Sequence, residues 1–283
     1  MIQPSLAVPG KGPAAVTGQL WATMRAELLM QWRRWGLWLA FGAVLAIMSL
    51  IFISRAANIK YEPHANSPYR TLDEFMNLYL FVTVRYSATL TAIIAALLVA
   101  DRMVRDQRLG MAELQRVTSE GYPVYVLGKF IGNFVAMLVP AFVVHMSCGI
   151  ALVALGFPLQ MLQLLAWAFV LVFIPAFAVV IALTLLLASM VPLRVVQIGF
   201  PLLWLYSTES PLGWHTLNDT IFNPVGRYIC PVFFPALFDK IRPGIYTFQL
   251  AMLNITVLLT TALVSLVLLV ISLAVQAHRE AAD

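Results

Sequence analysis

The strongest topological signal in this sequence is the charged run DRMVRDQRLGMAELQRVTSEGYPVYVLGK, residues 101–129. The segments on either side of its charges, residues 78–100 and 124–155, are mainly apolar. A helix that crosses a bilayer needs about 20 such residues, so both segments are predicted to span a membrane. The residues between them, 101–123, then form a loop on one face of that membrane.

The composition indicates that the rest of the chain is also embedded in the membrane. Of 283 residues, 61% are apolar and 11% are charged, whereas soluble domains carry roughly 25% charged residues. The net charge of +5 is not gathered into a basic run with surface aromatics, so no nucleic-acid partner is predicted. Cys148 and Cys230 are isolated and the histidines lack ligand spacing, so no metal site is predicted.

The hydrophobic pattern predicts an all-α integral membrane protein with six transmembrane helices in a domain of residues 36–283. The predicted spans are residues 36–54, 78–100, 124–155, 162–191, 195–207 and 248–276, of which the fifth is too short to cross alone. Residues 1–16 are predicted as a mobile arm. Residues 17–35 place tryptophans on one helical stripe, which favours an interfacial elbow helix over an extended inner end of the first span.

The region 208–247 is interrupted by prolines and glycines, and its apolar pieces are too short to span a bilayer. We predict a re-entrant helical hairpin, entered from the outer face just before the last span. The alternative is an ordinary external loop with an apolar underside. Within this region, Pro231 and Phe234 are the residues predicted to form a gate or plug.

The orientation follows from the basic residues. Most Lys and Arg residues lie on inner segments if the N-terminus is cytoplasmic, so both termini are predicted to be cytoplasmic. The predicted localisation is therefore the cell membrane, a bacterial inner membrane, as a multi-pass protein surrounded by lipid.

Two polar residues within the predicted spans are candidates for a substrate pathway. Arg85 lies in the second span, where a buried cation usually marks a function or a partner; the alternatives are structural pairing and snorkelling to the interface. His145 lies in the third span. The alternative to a pathway role is a structural one, in which a neutral imidazole is hydrogen-bonded to a carbonyl one turn away.

We predict a short helix, residues 111–117, within the loop of residues 101–123. Glycines on either side of this helix allow the chain to bend sharply there. The full pattern is Gly110, Glu113, Leu114, Thr118, Gly128 and Lys129. This spacing resembles the first cytoplasmic loop of type-2 ATP-binding-cassette exporter permeases, in which Gly-x-x-Glu-Leu-Leu and Thr-Pro precede Leu-Gly-Lys. The sequence departs from that pattern at Gln115, Arg116 and Ser119.

The resemblance implies a permease subunit whose loop docks on a separate ABC ATPase subunit. The coupling residues that it implies are Gly110, Glu113, Leu114, Arg116, Val117 and Thr118, and Gly128 and Lys129 would open the third span. ATP and Mg would be bound by the partner, and a second permease copy or a homologue would complete the transport path. The chain itself would bind no cofactor and would not be an enzyme.

Two other functions remain open at the level of sequence. One is an intramembrane enzyme acting on lipid or peptide, and the other is a non-catalytic assembly subunit of a membrane complex. The sequence contains no Gly-x-x-x-x-Gly-Lys-Ser/Thr motif, so it carries no nucleotide-hydrolysis signature of its own. Co-purification with an ATPase would separate the transport hypothesis from both alternatives.

Overall fold

The computed structural model describes residues 13–56, 72–108, 121–209, 220–234 and 247–282, and these parts of the chain are mainly helical and contain no strand. The helices are α1 Pro13–Trp32, α2 Trp35–Ala56, α3 Leu72–Arg108, α4 Tyr122–Ala154, α5 Gln160–Ala168, α6 Ile174–Met190, α7 Leu193–Glu209, α8 Cys230–Phe233 and α9 Phe248–Ala282. A π-helical turn, Phe169–Phe173, joins α5 to α6.

Five helical segments in the described ranges are long and apolar enough to cross a membrane, whereas the hydrophobic pattern predicted six spans. They are Trp35–Phe52, Phe75–Arg102, Tyr122–Ala154, Gln160–Met190 and Phe248–Arg279. Helix α7 has 17 residues, which corresponds to about 25 Å of helix against a hydrocarbon core of about 30 Å. The sixth crossing therefore stays a prediction.

The long helices are oriented by contacts at the two ends of the bundle. At one end, Arg102 near the end of α3 and Lys129 near the start of α4 both bind Glu27. At the other end, Phe75 of α3 stacks on Phe157, just after α4, with ring centroids 5.3 Å apart. Helices α3 and α4 are therefore antiparallel, and we call the end where α3 ends and α4 begins the charged end.

Helices α6 and α9 run parallel to each other. Leu258, early in α9, packs against Val179, and Gln276, late in α9, donates a hydrogen bond of 3.2 Å to the Ser189 carbonyl. Both helices therefore end at the charged end of the bundle. Helix α9 therefore begins at the opposite end of the bundle, as α6 does.

Helix α1 is separate from α2. The break falls at Arg33 and Arg34, where the chain makes a turn before α2 begins at Trp35. The tryptophan stripe is exposed, with Trp21 at 63% of its full accessibility, whereas Glu27 and Gln31 face the bundle and are buried. The interfacial position of α1 in a membrane stays a prediction.

Part of the predicted re-entrant region, residues 220–234, is described. Most of this segment is non-helical, yet Asn223, Val225 and Ile229 are fully buried. The Asn254 amide of α9 donates to the carbonyls of Ile221 and Asn223, which satisfies two backbone groups of the segment. The predicted hairpin of two short helices stays a prediction, since residues 210–219 and 235–246 lie outside the described ranges.

Candidate functional site

A buried cluster of polar side chains joins α1, α3 and α4 at the charged end. Glu27 lies at its centre, with one carboxylate oxygen 3.2 Å from Arg102 Nε and the other 3.2 Å from Lys129 Nζ. Asn133 donates to Glu27 at 3.3 Å, and Gln31 donates to Asn133 at 2.6 Å. We call these five residues the charge cluster.

The charge cluster holds more positive than negative charge. One carboxylate faces two cations, and all three ionic side chains are at least 95% buried. Lys129 gains further partners in the Tyr125 hydroxyl, at 3.4 Å, and the Tyr125 ring, at 5.3 Å from its centroid. A buried cation is costly unless it is paired, so the position of both cations depends on Glu27.

Two glycines explain how α1 comes close enough to α4 for these contacts. A Cβ added to Gly132 would lie 2.6 Å from the Cβ of Glu27 and 2.7 Å from the Met24 carbonyl oxygen. A Cβ added to Gly128 would lie 2.8 Å from the Thr23 Cβ. Gly-x-x-x-Gly is the spacing that lets two helix backbones approach closely within a membrane. The Gly-Lys pair of the predicted pattern is thus where α4 meets α1.

A second ion pair lies beside the charge cluster but is more exposed. Arg34, in the turn between α1 and α2, contacts Asp101 of α3 at 2.8 Å. The side chains are 26% and 35% exposed, so solvent screens this pair far more than it screens the charge cluster. The pair therefore adds little stability, although it links the turn between α1 and α2 to α3.

The predicted coupling residues fall in one gap of the described chain. Gly110, Glu113, Leu114, Arg116, Val117 and Thr118 all lie within residues 109–120, outside the described residues. The helices on either side of that gap are described, and both enter the charge cluster, α3 through Arg102 and α4 through Lys129. The cluster therefore ties both flanks of the predicted coupling loop to α1.

His145 is fully buried between three helices. Its Nε2 lies 3.2 Å from the Leu165 carbonyl of α5, and its Nδ1 lies 2.9 Å from the Ser87 hydroxyl of α3. Because a carbonyl only accepts, Nε2 is assigned as the donor. The carbonyl belongs to another helix, so the expected bond to a carbonyl one turn away on the same helix was wrong. The predicted pathway role is not tested by these contacts.

Arg85 is half-buried and reaches α7. Its guanidinium donates to the Thr208 carbonyl at 3.1 Å. Thr208 is near the end of α7, where a helical carbonyl has no partner within the helix. This bond agrees with the structural-pairing alternative and joins α3 to the point where α7 ends.

The predicted gate residues lie inside the bundle. Pro231 and Phe234 are both buried, and Phe234 packs in the main hydrophobic core. A largely apolar cavity of about 440 Å³ lies beside this segment, between α6, α7 and α9, and it is lined by Phe222 and Pro224 rather than by the two predicted residues. The gate role stays a prediction.

Glu27 and Arg102 are the functional candidates that sequence reasoning missed. Two signals could have found them: Glu27 is the single acidic residue of α1, and Gly128 and Gly132 have the spacing of a close helix contact. Neither signal says which helix docks there.

Within the described ranges, no three His, Cys, Asp or Glu side chains come together as a metal site. No protein-family model matches this chain, and no curated protein matches it in sequence.

Proposed function

We propose that this chain is the membrane permease subunit of a type-2 ATP-binding-cassette exporter, driven by a separate ATPase subunit. Residues 109–120 would dock on that ATPase, and a second copy or a homologue of the chain would complete the path. The proposal rests first on the sequence pattern from Gly110 to Lys129, which resembles the coupling loop of such permeases.

The observation that carries the proposal is the position of the charge cluster. A coupling loop must pass its displacement to the spans, and a loop attached to loosely packed helix ends would lose it. Here Arg102 and Lys129, on the two flanking helices, share one buried carboxylate on α1. A push on residues 109–120 would therefore move α1, α3 and α4 together, because separating them would leave buried charges unpaired.

The parallel course of α6 and α9 supports the six-crossing topology. Both helices end at the charged end, and one further crossing between them would connect the two. In our proposal α7, together with the buried segment 220–234, makes that crossing. The charged end would be cytoplasmic, because the basic residues of the described ranges concentrate there. They are Arg25, Arg33, Arg34, Arg102, Arg105, Arg108, Lys129, Arg194 and Arg279.

The topology predicts a specific pattern of cysteine labelling. In intact cells, cysteines introduced at Ser5 and Ala281 should be shielded from a membrane-impermeant thiol reagent, and one at Asn218 should react. The native Cys148 and Cys230 are both buried, so background labelling should be low. Permeabilised cells provide the control in which Ser5 and Ala281 label. Reaction at Ser5 in intact cells would reverse the proposed orientation.

The coupling function predicts that Glu113→Arg weakens the contact with the ATPase subunit and so uncouples transport from ATP hydrolysis. The tagged chain should co-purify with an ATPase that carries Walker motifs, and the unchanged complex should hydrolyse ATP in step with transport. Reversing the charge at residue 113 is expected to reduce ATPase binding at least tenfold, the effect of about 1.4 kcal/mol at a charged contact, while the thermal stability of the permease stays the same.

Arg194→Glu is the matched control for this experiment. It reverses one exposed charge at the start of α7, at the same end of the bundle but outside the loop. It should leave ATPase binding unchanged. If Glu113→Arg binds the ATPase as well as the unchanged chain does, the loop is not the coupling element. If no ATPase co-purifies at all, the transport proposal fails.

A further inference from the structure

A second cleft opens on the outside of the bundle at the charged end, between the parallel helices α6 and α9. Its volume is about 430 Å³. The walls are apolar, formed by Leu186 and Met190 of α6 and by Leu268, Ile271 and Val275 of α9. Met190, Leu268 and Ile271 are each about half exposed or more, so this apolar surface is not covered by the rest of the described chain.

The cleft is amphipathic along its length. Ser272, Gln276 and Arg279 lie on α9 at intervals of about one turn and all line the cleft. Gln276 is held in place by its bond to the Ser189 carbonyl, which bridges the two helices near the end of α6. Arg279, in the last turn of α9, is exposed and supplies the positive charge. The apolar walls thus lead to a cation at the end of the bundle where basic residues concentrate.

The shape and size of the cleft select its occupant. About 430 Å³ corresponds to roughly one turn of an α-helix with its side chains, so the cleft would contact only a short part of a crossing helix from a second copy. A flexible hydrocarbon chain can instead follow the apolar walls of a cleft of this volume. An anionic group beside that chain would meet Arg279, and anionic lipids are attracted to basic side chains at a membrane surface.

We propose that the α6–α9 cleft binds one anionic phospholipid from the leaflet at the charged end. One acyl chain lies between α6 and α9 against Leu268 and Ile271, and the phosphate binds Arg279. Ser272 and Gln276 line the polar half of the cleft between them. This site is independent of the proposed transport function, because it uses none of the residues of the charge cluster or of the coupling loop.

The test is native mass spectrometry of the purified chain, titrated with phosphatidylglycerol and with phosphatidylcholine of the same acyl composition. The unchanged chain should bind one phosphatidylglycerol more tightly than phosphatidylcholine. Arg279→Gln should weaken phosphatidylglycerol binding about fivefold, the effect of about one surface cation, and leave phosphatidylcholine binding unchanged. Ser272→Phe fills the cleft without changing charge and should weaken binding of both lipids.

Two matched variants control for general effects. Arg194→Gln removes an exposed cation at the same end of the bundle, and Leu263→Phe enlarges a 62% exposed side chain of α9 that does not line the cleft. Neither should alter lipid binding. Equal binding of the two lipids by the unchanged chain would overturn the proposal, as would an effect of Arg194→Gln equal to that of Arg279→Gln. Loss of a dimer in Ser272→Phe with lipid binding intact would instead assign the cleft to a second copy.

Discussion

Glu27→Ala is expected to destabilise the protein by about 3–5 kcal/mol, the usual cost of removing one partner from a buried ion pair. The reason is the shared carboxylate. Arg102 and Lys129 are both almost fully buried and both bind Glu27, so its removal leaves two cations without their counter-ion. The loss should appear as a large drop in the midpoint of thermal unfolding of the purified protein in detergent.

Asp101→Asn is the matched control for Glu27→Ala. It also removes an acid that binds an arginine at the charged end, but the Asp101–Arg34 pair is partly exposed. Its loss should cost no more than about 1 kcal/mol. Combining Glu27→Ala with Arg102→Met and Lys129→Met should recover much of the stability, because apolar side chains replace buried ion groups at little cost. Equal effects of Glu27→Ala and Asp101→Asn would show that the cluster is not buried in the folded protein.

Gly132→Ala is expected to cost about 1–3 kcal/mol, as overpacking of a close contact does. The added methyl group would meet the Met24 carbonyl oxygen at 2.7 Å, and a backbone atom cannot move aside as a side chain can. Helix α1 would have to shift away from α4. That shift would also lengthen the ion pair between Glu27 and Lys129. Gly132→Leu should separate the helices further and lower the unfolding midpoint more than Gly132→Ala does.

Gly42→Ala is the matched control, because it makes the same substitution at a helix position where the added methyl group contacts no other helix. Gly42 lies on an exposed face of α2, and nothing lies within 4 Å of an added Cβ. Because alanine favours a helix over glycine, this variant should be neutral or more stable by up to about 1 kcal/mol. Comparing the two unfolding midpoints isolates the contact with α1. A Gly132→Ala protein as stable as the Gly42→Ala protein would contradict the close approach of α1 and α4.

The sequence predicted the helices well, because their cause is local. A hydrocarbon core offers no hydrogen-bond partner, so an apolar run longer than about 18 residues has to satisfy its backbone within itself as a helix. The five long apolar helices follow from this constraint alone. The same criterion showed that the predicted fifth span, which corresponds to α7, is too short to cross a bilayer by itself. Length and hydropathy are properties of consecutive residues, so no knowledge of packing is needed.

The charge cluster could not be predicted in the same way. Glu27 is separated from Arg102 by 75 residues and from Lys129 by 102 residues, and no local pattern pairs them. On its own helix Glu27 lies on a different face from the tryptophan stripe, and nothing in that pattern identifies its partners. Only the approach of α1 to Gly128 and Gly132 turns that face inward and removes water from the carboxylate.

The chain's composition and hydrophobic pattern were sufficient for the helical membrane class, the approximate positions of five long apolar helices and the basic side of the bundle, because each depends on residues near one another in sequence. The packing of α1 against α4, the partners of His145 and Arg85, and the parallel course of α6 and α9 depend on the three-dimensional arrangement of helices. Side chains on lipid-facing and protein-facing surfaces are both apolar in a membrane, so hydropathy does not determine which helices pack together. Close backbone contacts and buried polar bonds determine the packing, and these form only once the helices have come together.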